Sequence, residues 1–252
     1  MKSPKLYGTF RQWFEKSIKV RQPHKSRNGF IEQLINLEPI FDTKTHLFSG
    51  SLQNDLNTSD PVEYLHLFEL GLENITYWHF HGRAIKSLLP LPIGFFQEDD
   101  FYDQFEQLFL TSQLPVGLIR LPLIHYKNRE IEKMIDKLLK LKRLGIILEL
   151  KDFSGTASEM RWLKSHLFKG VHFSTAQLRA ASMASLSKEL FDQIVQFCKE
   201  ENFHTYGEGI SLVHDFTFTK QNGIDSCYGP LLMPAVSKHQ ILKIHTSQFN
   251  DA

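Results

Sequence analysis

The segment from Gly145 to Thr156 holds side chains whose chemistry can be interpreted directly. It begins as an apolar run, Ile146 to Leu150, which predicts a buried strand. Ligands of α/β folds bind at the carboxyl ends of strands, so Lys151 and Asp152 occupy a position suited to a binding site. The segment offers one cation and one carboxylate there, and this pair constrains what the site can bind.

Length and composition exclude several classes of protein. The chain has 252 residues, of which 42% are hydrophobic, enough for one α/β barrel or two small domains. Its net charge of +1 gives no general attraction to nucleic acids or membranes. Cys198 and Cys227 suggest no disulfide framework, and no apolar run is long enough for a membrane span. We therefore expect a cytoplasmic protein, since the N-terminus also lacks the apolar core of a secretion signal.

Residues 1–30 form a basic arm in which Lys and Arg face a single acidic residue. Apolar residues at helical spacing, among them Phe10, Phe14 and Ile18, predict an amphipathic helix within the arm. This helix either covers the bottom of a barrel or docks on an acidic partner or membrane surface. The candidate partner-binding residues are Arg11, Trp13, Lys16, Lys19 and Arg21.

Alternating patterns predict the fold of residues 31–252. Strand-like residues 34–41 and 46–52 are joined by so short a link that the two strands must be antiparallel. Asp60 and Pro61 then start a helix, and a second helix is predicted from Thr76 to Leu88. Strands and helices alternate from there onward without a break in composition. The pattern predicts one α/β domain whose mostly parallel sheet closes into a barrel.

Four short motifs occur in order along this domain: LEPIFD at 37–42, LELKDFSGT at 148–156, YGEGI at 206–210, and GID at 223–225 with YGP at 228–230. They resemble the Q-P-I-x-D, L-A-x-D-D-F-G-T-G, V-A-E-G-V and G-x-D-x-x-Q-G-Y motifs of the EAL family, the cyclic di-GMP phosphodiesterase domains. The resemblance implies a modified TIM-like (β/α)8 barrel with one antiparallel strand, which agrees with the predicted hairpin.

The resemblance also implies where a catalytic site would lie. The family's chemistry is metal-assisted hydrolysis of a phosphodiester, with two divalent cations held mainly by carboxylates. Only Asp152 and Glu208 keep the family's carboxylates. The family-site positions that have lost their functional residue are Gly50, Asn54, His125, Lys151, His172, Ser174 and Tyr228. Among them, Gly50 replaces the signature Glu, Asn54 the nucleotide-contacting Arg, and Lys151 a metal-binding Asp.

These losses argue against catalysis. Water could compensate for one missing ligand but not for nearly all of them, and Lys151 would place an ammonium where two dications bind. Like charges ~4 Å apart repel by about 4 kcal/mol per pair at an intermediate dielectric. We therefore expect no catalytic residues, no bound metal and no other cofactor. Lys151 either closes the site as an ion pair with Asp152 and Glu208, or is solvated, or holds a phosphate in place of a metal.

The predicted function is that of a catalytically inactive, EAL-like regulatory protein that binds another regulatory protein. The alternatives are a receptor that binds cyclic di-GMP without cleaving it, which Gly50, Asn54 and Tyr228 disfavour, and a residual cyclic di-GMP phosphodiesterase. Nucleic acid is not an expected partner, since the short basic arm would give only salt-sensitive affinity. A second copy of the chain, forming a homodimer, is a further candidate partner.

Overall fold

The computed structural model describes residues 36–56, 58–124 and 131–244, so the basic arm and His125 lie outside the described residues. The strands within these ranges are β1 (Leu37–Asp42), β2 (Phe48–Gln53), β3 (Ser87–Leu88), β4 (Leu91–Pro92), β5 (Ile119–Ile124), β6 (Ile147–Leu150), β7 (Phe168–Phe173), β8 (His204–Gly207) and β9 (Ser226–Cys227). The α-helices are α1 (Pro61–Phe80), α2 (Asp99–Ser112), α3 (Ile135–Arg143), α4 (Ala157–Lys164), α5 (Thr175–Met183), α6 (Ser185–Glu200), α7 (Val213–Gln221) and α8 (Lys238–Lys243).

Eight of the described strands close into a barrel in the order β1, β2, β3, β5, β6, β7, β8 and β9, after which β9 pairs with β1. Strand β4 lies outside this ring and pairs with β5. Strand β1 is antiparallel to both of its neighbours, and the other pairings of the ring are parallel. The predicted modified (β/α)8 barrel with one antiparallel strand is therefore confirmed.

The two ends of the barrel differ in what they carry. The parallel strands all end on one side of the barrel, which we term the mouth. Lys151 follows β6 at the mouth, and Glu208 follows β8. We term the opposite end the base; Lys86 precedes β3 there. Because β1 runs in the opposite direction, Glu38 near its start lies at the mouth and Asp42 at its end lies at the base.

Alternating side chains of the strands fill the barrel, as period-two geometry requires. Ile40, Leu52, Leu88, Tyr206 and Tyr228 form one buried cluster inside it. A group of aromatic side chains lies under the helices outside the barrel. The side chains of Phe68 on α1 and Phe105 on α2 stack there with ring centroids 4.3 Å apart. None of the helices in the described ranges combines the length and hydrophobicity that a bilayer crossing requires.

The prediction of a second helix from Thr76 to Leu88 is wrong, because α1 continues without a break from Pro61 to Phe80. Gly71 lies within this helix but does not interrupt it. A Cβ atom at Gly71 would lie 2.7 Å from Gln53 Oε1, so glycine is needed for close packing against β2. The chain leaves the helix at Gly82, whose φ of 76° suits glycine, and then forms β3.

The loop after β6 is fixed by a capping box at the start of α4. The Glu159 carboxylate accepts hydrogen bonds from the backbone N–H groups of Ser154 (3.1 Å) and Thr156 (2.9 Å). Between this cap and the strand, the Lys151 N–H donates to Leu123 O at 3.1 Å. These bonds place Lys151 at the mouth between the ends of β5 and β7.

Candidate functional site

Glu149 on β6 is the centre of a buried ionic network inside the barrel. Its side chain is 0% exposed. Arg120 Nη1 donates to Glu149 Oε1 at 2.6 Å and to the Tyr206 hydroxyl at 3.0 Å, and that hydroxyl in turn donates to Glu149 Oε1 at 3.2 Å. Burial alone would raise the pKa of Glu149, but its bonds to His172 and Arg120 outweigh burial and hold the pKa below its usual value. Glu149 is therefore a buried carboxylate that stays charged.

His172 on β7 links this network to the mouth. Its Nε2 lies 2.9 Å from Glu149 Oε2, and an ionised carboxylate only accepts, so Nε2 carries a proton. Its Nδ1 lies 3.2 Å from Glu208 Oε1, although the geometry of this pair is too poor for a hydrogen bond. An unprotonated Nδ1 would turn its lone pair toward a carboxylate oxygen, so the imidazolium form fits both neighbours.

The pKa of His172 reflects this position. Burial lowers the pKa, but contact with Glu149 and Glu208 more than compensates and raises it above its usual value. The ring also stacks on Tyr206 with centroids 4.2 Å apart. The two carboxylates therefore favour the protonated form of His172.

Lys151 extends the network to the surface of the mouth. Its Nζ lies 3.5 Å from Glu208 Oε2, and the side chains of Lys151 and Glu208 are only 19% and 11% exposed. Burial raises the pKa of Glu208, but the lowering by His172 and Lys151 is larger, so the pKa lies below its usual value. Two protein cations thus neutralise the carboxylate of Glu208.

Asp152 does not join this ion pair. Its side chain is exposed, its φ is 53°, and it forms no ion pair with another described residue. Aspartate tolerates this left-handed conformation better than most residues. Of the two carboxylates predicted to be retained, the structure places only Glu208 within the mouth network.

Asn54 and Tyr228 both lie at the mouth, Asn54 exposed on its surface and Tyr228 buried beneath it. The Asn54 Nδ2 donates to Glu38 Oε1, and the pKa of Glu38 is raised by burial despite this bond and nearby Lys151. The Tyr228 ring is buried in the cluster inside the barrel, and its hydroxyl faces the carboxylate of Glu208. Burial raises the pKa of Tyr228 well above its usual value, so it stays neutral.

The structure does not bring Gly50 to the mouth. Gly50 pairs with Ile40 in the middle of the hairpin and lines a cavity at the base. The residue opposite Glu38 on β2 is Leu52, so a carboxylate from β2 that reached the mouth would have to lie at position 52 or 54. Neither position carries one. Ser174 also takes a different role, because it caps α5 by accepting from the Gln177 N–H.

A pair of divalent cations does not fit this set of side chains. Divalent cations need several oxygen ligands that are not already neutralised. Glu208 is flanked by His172 and Lys151, and Glu149 by Arg120 and His172. In the described ranges no group of three or more His, Cys, Asp or Glu side chains is arranged to hold a metal ion.

The most buried part of the network was missed by the motif comparison. Glu149 interrupts the apolar run of β6, and a carboxylate inside a buried strand requires a partner. That signal was available, but its partners Arg120 and Tyr206 lie on strands distant in sequence. The barrel topology is what brings them together.

Comparison with known proteins supports the fold through structure and not through sequence. No family model matches the chain, and no curated protein is significantly similar to it in sequence. The EAL domain of Mycobacterium smegmatis DcpA superposes with a TM-score of 0.72 and 14% identity, covering 86% of this chain and 97% of that one. The PaMucR phosphodiesterase in complex with c-di-GMP superposes with a TM-score of 0.70 at 16% sequence identity. This superposition covers 86% of this chain and 98% of that one.

A third similar structure is the Xanthomonas citri FimX EAL domain in complex with c-diGMP. It superposes with a TM-score of 0.68 at 11% identity, covering 92% of this chain and 96% of that chain. The three superpositions extend over nearly the whole of each compared domain. The chain therefore has the EAL fold.

Proposed function

We propose that this EAL-like barrel is a non-hydrolytic regulatory protein that acts by binding another protein. The observation that carries the first half of this proposal is the ion-pair chain from Glu149 through His172 and Glu208 to Lys151. Each carboxylate in that chain is satisfied by a protein cation. A dication entering the mouth would have to displace Lys151 and would also meet the positive charge of His172.

We predict that purified protein shows no manganese-dependent hydrolysis of cyclic di-GMP. The expected result is product formation no faster than in a protein-free blank, measured by chromatography of the nucleotides. The Glu208→Ala variant is the matched control, because it removes the only predicted metal-binding carboxylate that lies within the mouth network. Turnover by the wild type that disappears in Glu208→Ala would contradict the proposal.

The same sample separates the proposal from a receptor function. Asn54 and Tyr228 occupy positions where the family resemblance implies functional side chains, so we expect no calorimetric signal with cyclic di-GMP at micromolar concentrations. A Kd in the micromolar range or below, which corresponds to a binding free energy of about −8 kcal/mol or more negative, would favour the receptor alternative. Binding without hydrolysis would overturn the protein-binding half of the proposal while sparing the first half.

Exposed apolar side chains favour a protein partner. Met183 at the end of α5 is 80% exposed, Leu186 and Leu190 on α6 are 68% and 55% exposed, and Leu212 and Val213 near the start of α7 are 54% and 65% exposed. Leu186 and Leu190 are four residues apart and so lie on one face of α6. Apolar side chains exposed on neighbouring helices are typical of binding surfaces. The basic arm, with Arg11, Trp13, Lys16, Lys19 and Arg21, is the second proposed binding element.

We predict that replacing Leu186 and Leu190 together by Ser removes the partner captured from native lysate by the tagged full chain. Each buried leucine contributes about 1.5 to 3 kcal/mol, so the double change weakens binding by more than tenfold. Val62→Ser is the control, because Val62 is 72% exposed but lies on α1. Quantitative mass spectrometry compares the captured proteins. Equal recovery by the wild type, the double variant and a chain without residues 1–30 would contradict the proposal.

A further inference from the structure

A cavity at the base of the barrel lies at the opposite end from Lys151 and Glu208, but it shares Arg120 and Tyr206 with the network around Glu149. It has a volume of about 160 Å³ and is lined by residues of β1, β2, β3, β5, β8 and β9 and by Lys86. Its polar lining includes Asp42, Lys86, Arg120, His204 and Ser226. A polar cavity of this size holds water when no ligand is bound, with a volume of about five water molecules at ~30 Å³ each. It is too small for a dinucleotide and suits a small ion or functional group.

Gly50 contributes to the shape of this cavity. It lines the wall without a side chain, and a Cβ atom there would lie 2.7 Å from the carbonyl oxygen of Lys86. Ser226 is likewise small, and its hydroxyl lies 2.9 Å from His204 Nε2. The barrel is thus left unfilled at the base, whereas Tyr206, which also lines the cavity, and Tyr228 fill it further toward the mouth.

The charges around the cavity favour an anion. Lys86 is exposed at the opening and forms no ion pair with another residue of the described ranges. Arg120 lines the inner wall, and its charge is balanced from behind by Glu149. The opposing carboxylate of Asp42 is partly occupied, because its Oδ1 accepts bonds from Lys44 N (3.0 Å), Thr45 N (2.7 Å) and Thr45 Oγ1 (2.9 Å).

Further basic residues lie at the base of the barrel outside the cavity lining. Several helices end there with basic residues, which complement the helix dipoles. The cations at this end include Arg83, Lys142, Arg143, Lys164 and Lys220. Glu200 and Glu201 at the end of α6 and Asp225 before β9 are carboxylates at the same end, and Asp225 is close enough to His204 to oppose the lowering of its pKa. A cluster of cations around a cleft raises the local concentration of anions.

We propose that the base cavity is a binding site for a small oxyanion, namely phosphate or the phosphate group of a small metabolite. Lys86 supplies the unbalanced charge, Arg120 lines the inner wall, and the Ser226 hydroxyl, which lies 2.9 Å from His204 Nε2, supplies a hydrogen bond. Burial lowers the pKa of His204, which favours the neutral ring; with the proton on Nε2 that ring donates to the Ser226 oxygen and leaves the serine hydroxyl free to donate to the anion. The site shares Arg120 with the ion-pair network, but Asp42 and Lys86 lie at the opposite end of the barrel from Lys151 and Glu208, so variants at these two positions test the site apart from the proposed function.

Isothermal titration of the full chain with inorganic phosphate tests the proposal. Saturable binding is expected, and Lys86→Gln is expected to weaken it by about tenfold or more, because a charge-assisted contact is lost. Asp42→Asn is expected to tighten binding, because it removes the opposing charge and keeps the oxygen that accepts the turn bonds. Lys169→Gln, at an exposed position on β7 outside the cavity, is expected to leave the affinity unchanged.

A parallel titration with glycerol 3-phosphate distinguishes the two sources of the oxyanion. Tighter binding of the ester would identify a phosphorylated metabolite, and preference for inorganic phosphate would identify the free ion; both results support the site. The absence of saturable heat at about 10 mM of either compound would overturn it. An equal loss of affinity in Lys86→Gln and Lys169→Gln would also overturn it, because that result describes general attraction to a basic surface.

Discussion

Replacing Glu149 by Ala is expected to lower the free energy of unfolding by about 3 to 5 kcal/mol, the usual cost of breaking a buried ion pair. The substitution leaves the guanidinium of Arg120 and the imidazolium of His172 buried without their shared carboxylate, and it removes the acceptor of the Tyr206 hydroxyl bond. A domain typically has only 5–15 kcal/mol of stability, so the variant would be close to unfolding. Urea denaturation followed by circular dichroism measures the difference.

The exposed ion pair between Lys188 and Asp192 provides the matched control. Its atoms are also 2.6 Å apart, but the two side chains are 51% and 43% exposed. Asp192→Ala is expected to cost less than about 0.5 kcal/mol, because solvent screens the pair. If Glu149→Ala costs no more than Asp192→Ala, the buried network contributes nothing to stability and the central interpretation fails.

Stability is also expected to depend on pH through the same network. The pKa values of Glu149 and Glu208 are lowered in the folded state, so their contribution is complete above the usual value of 4.5 and is lost as the pH falls through the folded values. The pKa of His172 is raised, so its contribution is complete below the usual value of 6.5 and is lost as the pH rises through the folded value. The network therefore stabilises most between these two pH values.

The loss of stability as the pH rises above 6.5 is assigned to His172 by comparing the wild type with His172→Gln. His204 titrates with the opposite sign, because burial lowers its pKa, so the difference between the two proteins reports His172 and the wild-type curve alone does not. We expect urea unfolding to show a wild-type advantage that shrinks as the pH rises above 6.5. His166→Gln, at an exposed position after α4, should follow the wild type. A difference that does not change with pH would rule out a charged His172.

Local patterns predicted much of the fold. The short link between β1 and β2 required an antiparallel pair, and the apolar run before Lys151 predicted β6. The prediction of a helix from Thr76 to Leu88 failed because Ser87 and Leu88 pair with β2 and β5, which the local pattern does not include. Packing between distant segments, and not local propensity, decides such positions.

The candidate site was predicted less completely than the fold. The sequence located Lys151 and Glu208 at strand ends, and the structure places their side chains 3.5 Å apart. The sequence did not indicate that His172 would lie between two carboxylates, since that arrangement depends on the register of three neighbouring strands. Gly50 was assigned to the same site by motif spacing, but strand register places it beside the base cavity.

The chain of alternating charges from Arg120 to Lys151 has a consequence for any attempt to engineer a metal site into this barrel. Changing Lys151 alone to Asp would set a new carboxylate beside Glu208 while His172 still stands where a dication would need ligands. Changing His172 alone would leave Glu149 and Arg120 without the third member of their group. Each single substitution therefore disrupts the ion-pair network before a complete metal site exists. Several positions of the network would have to be changed together.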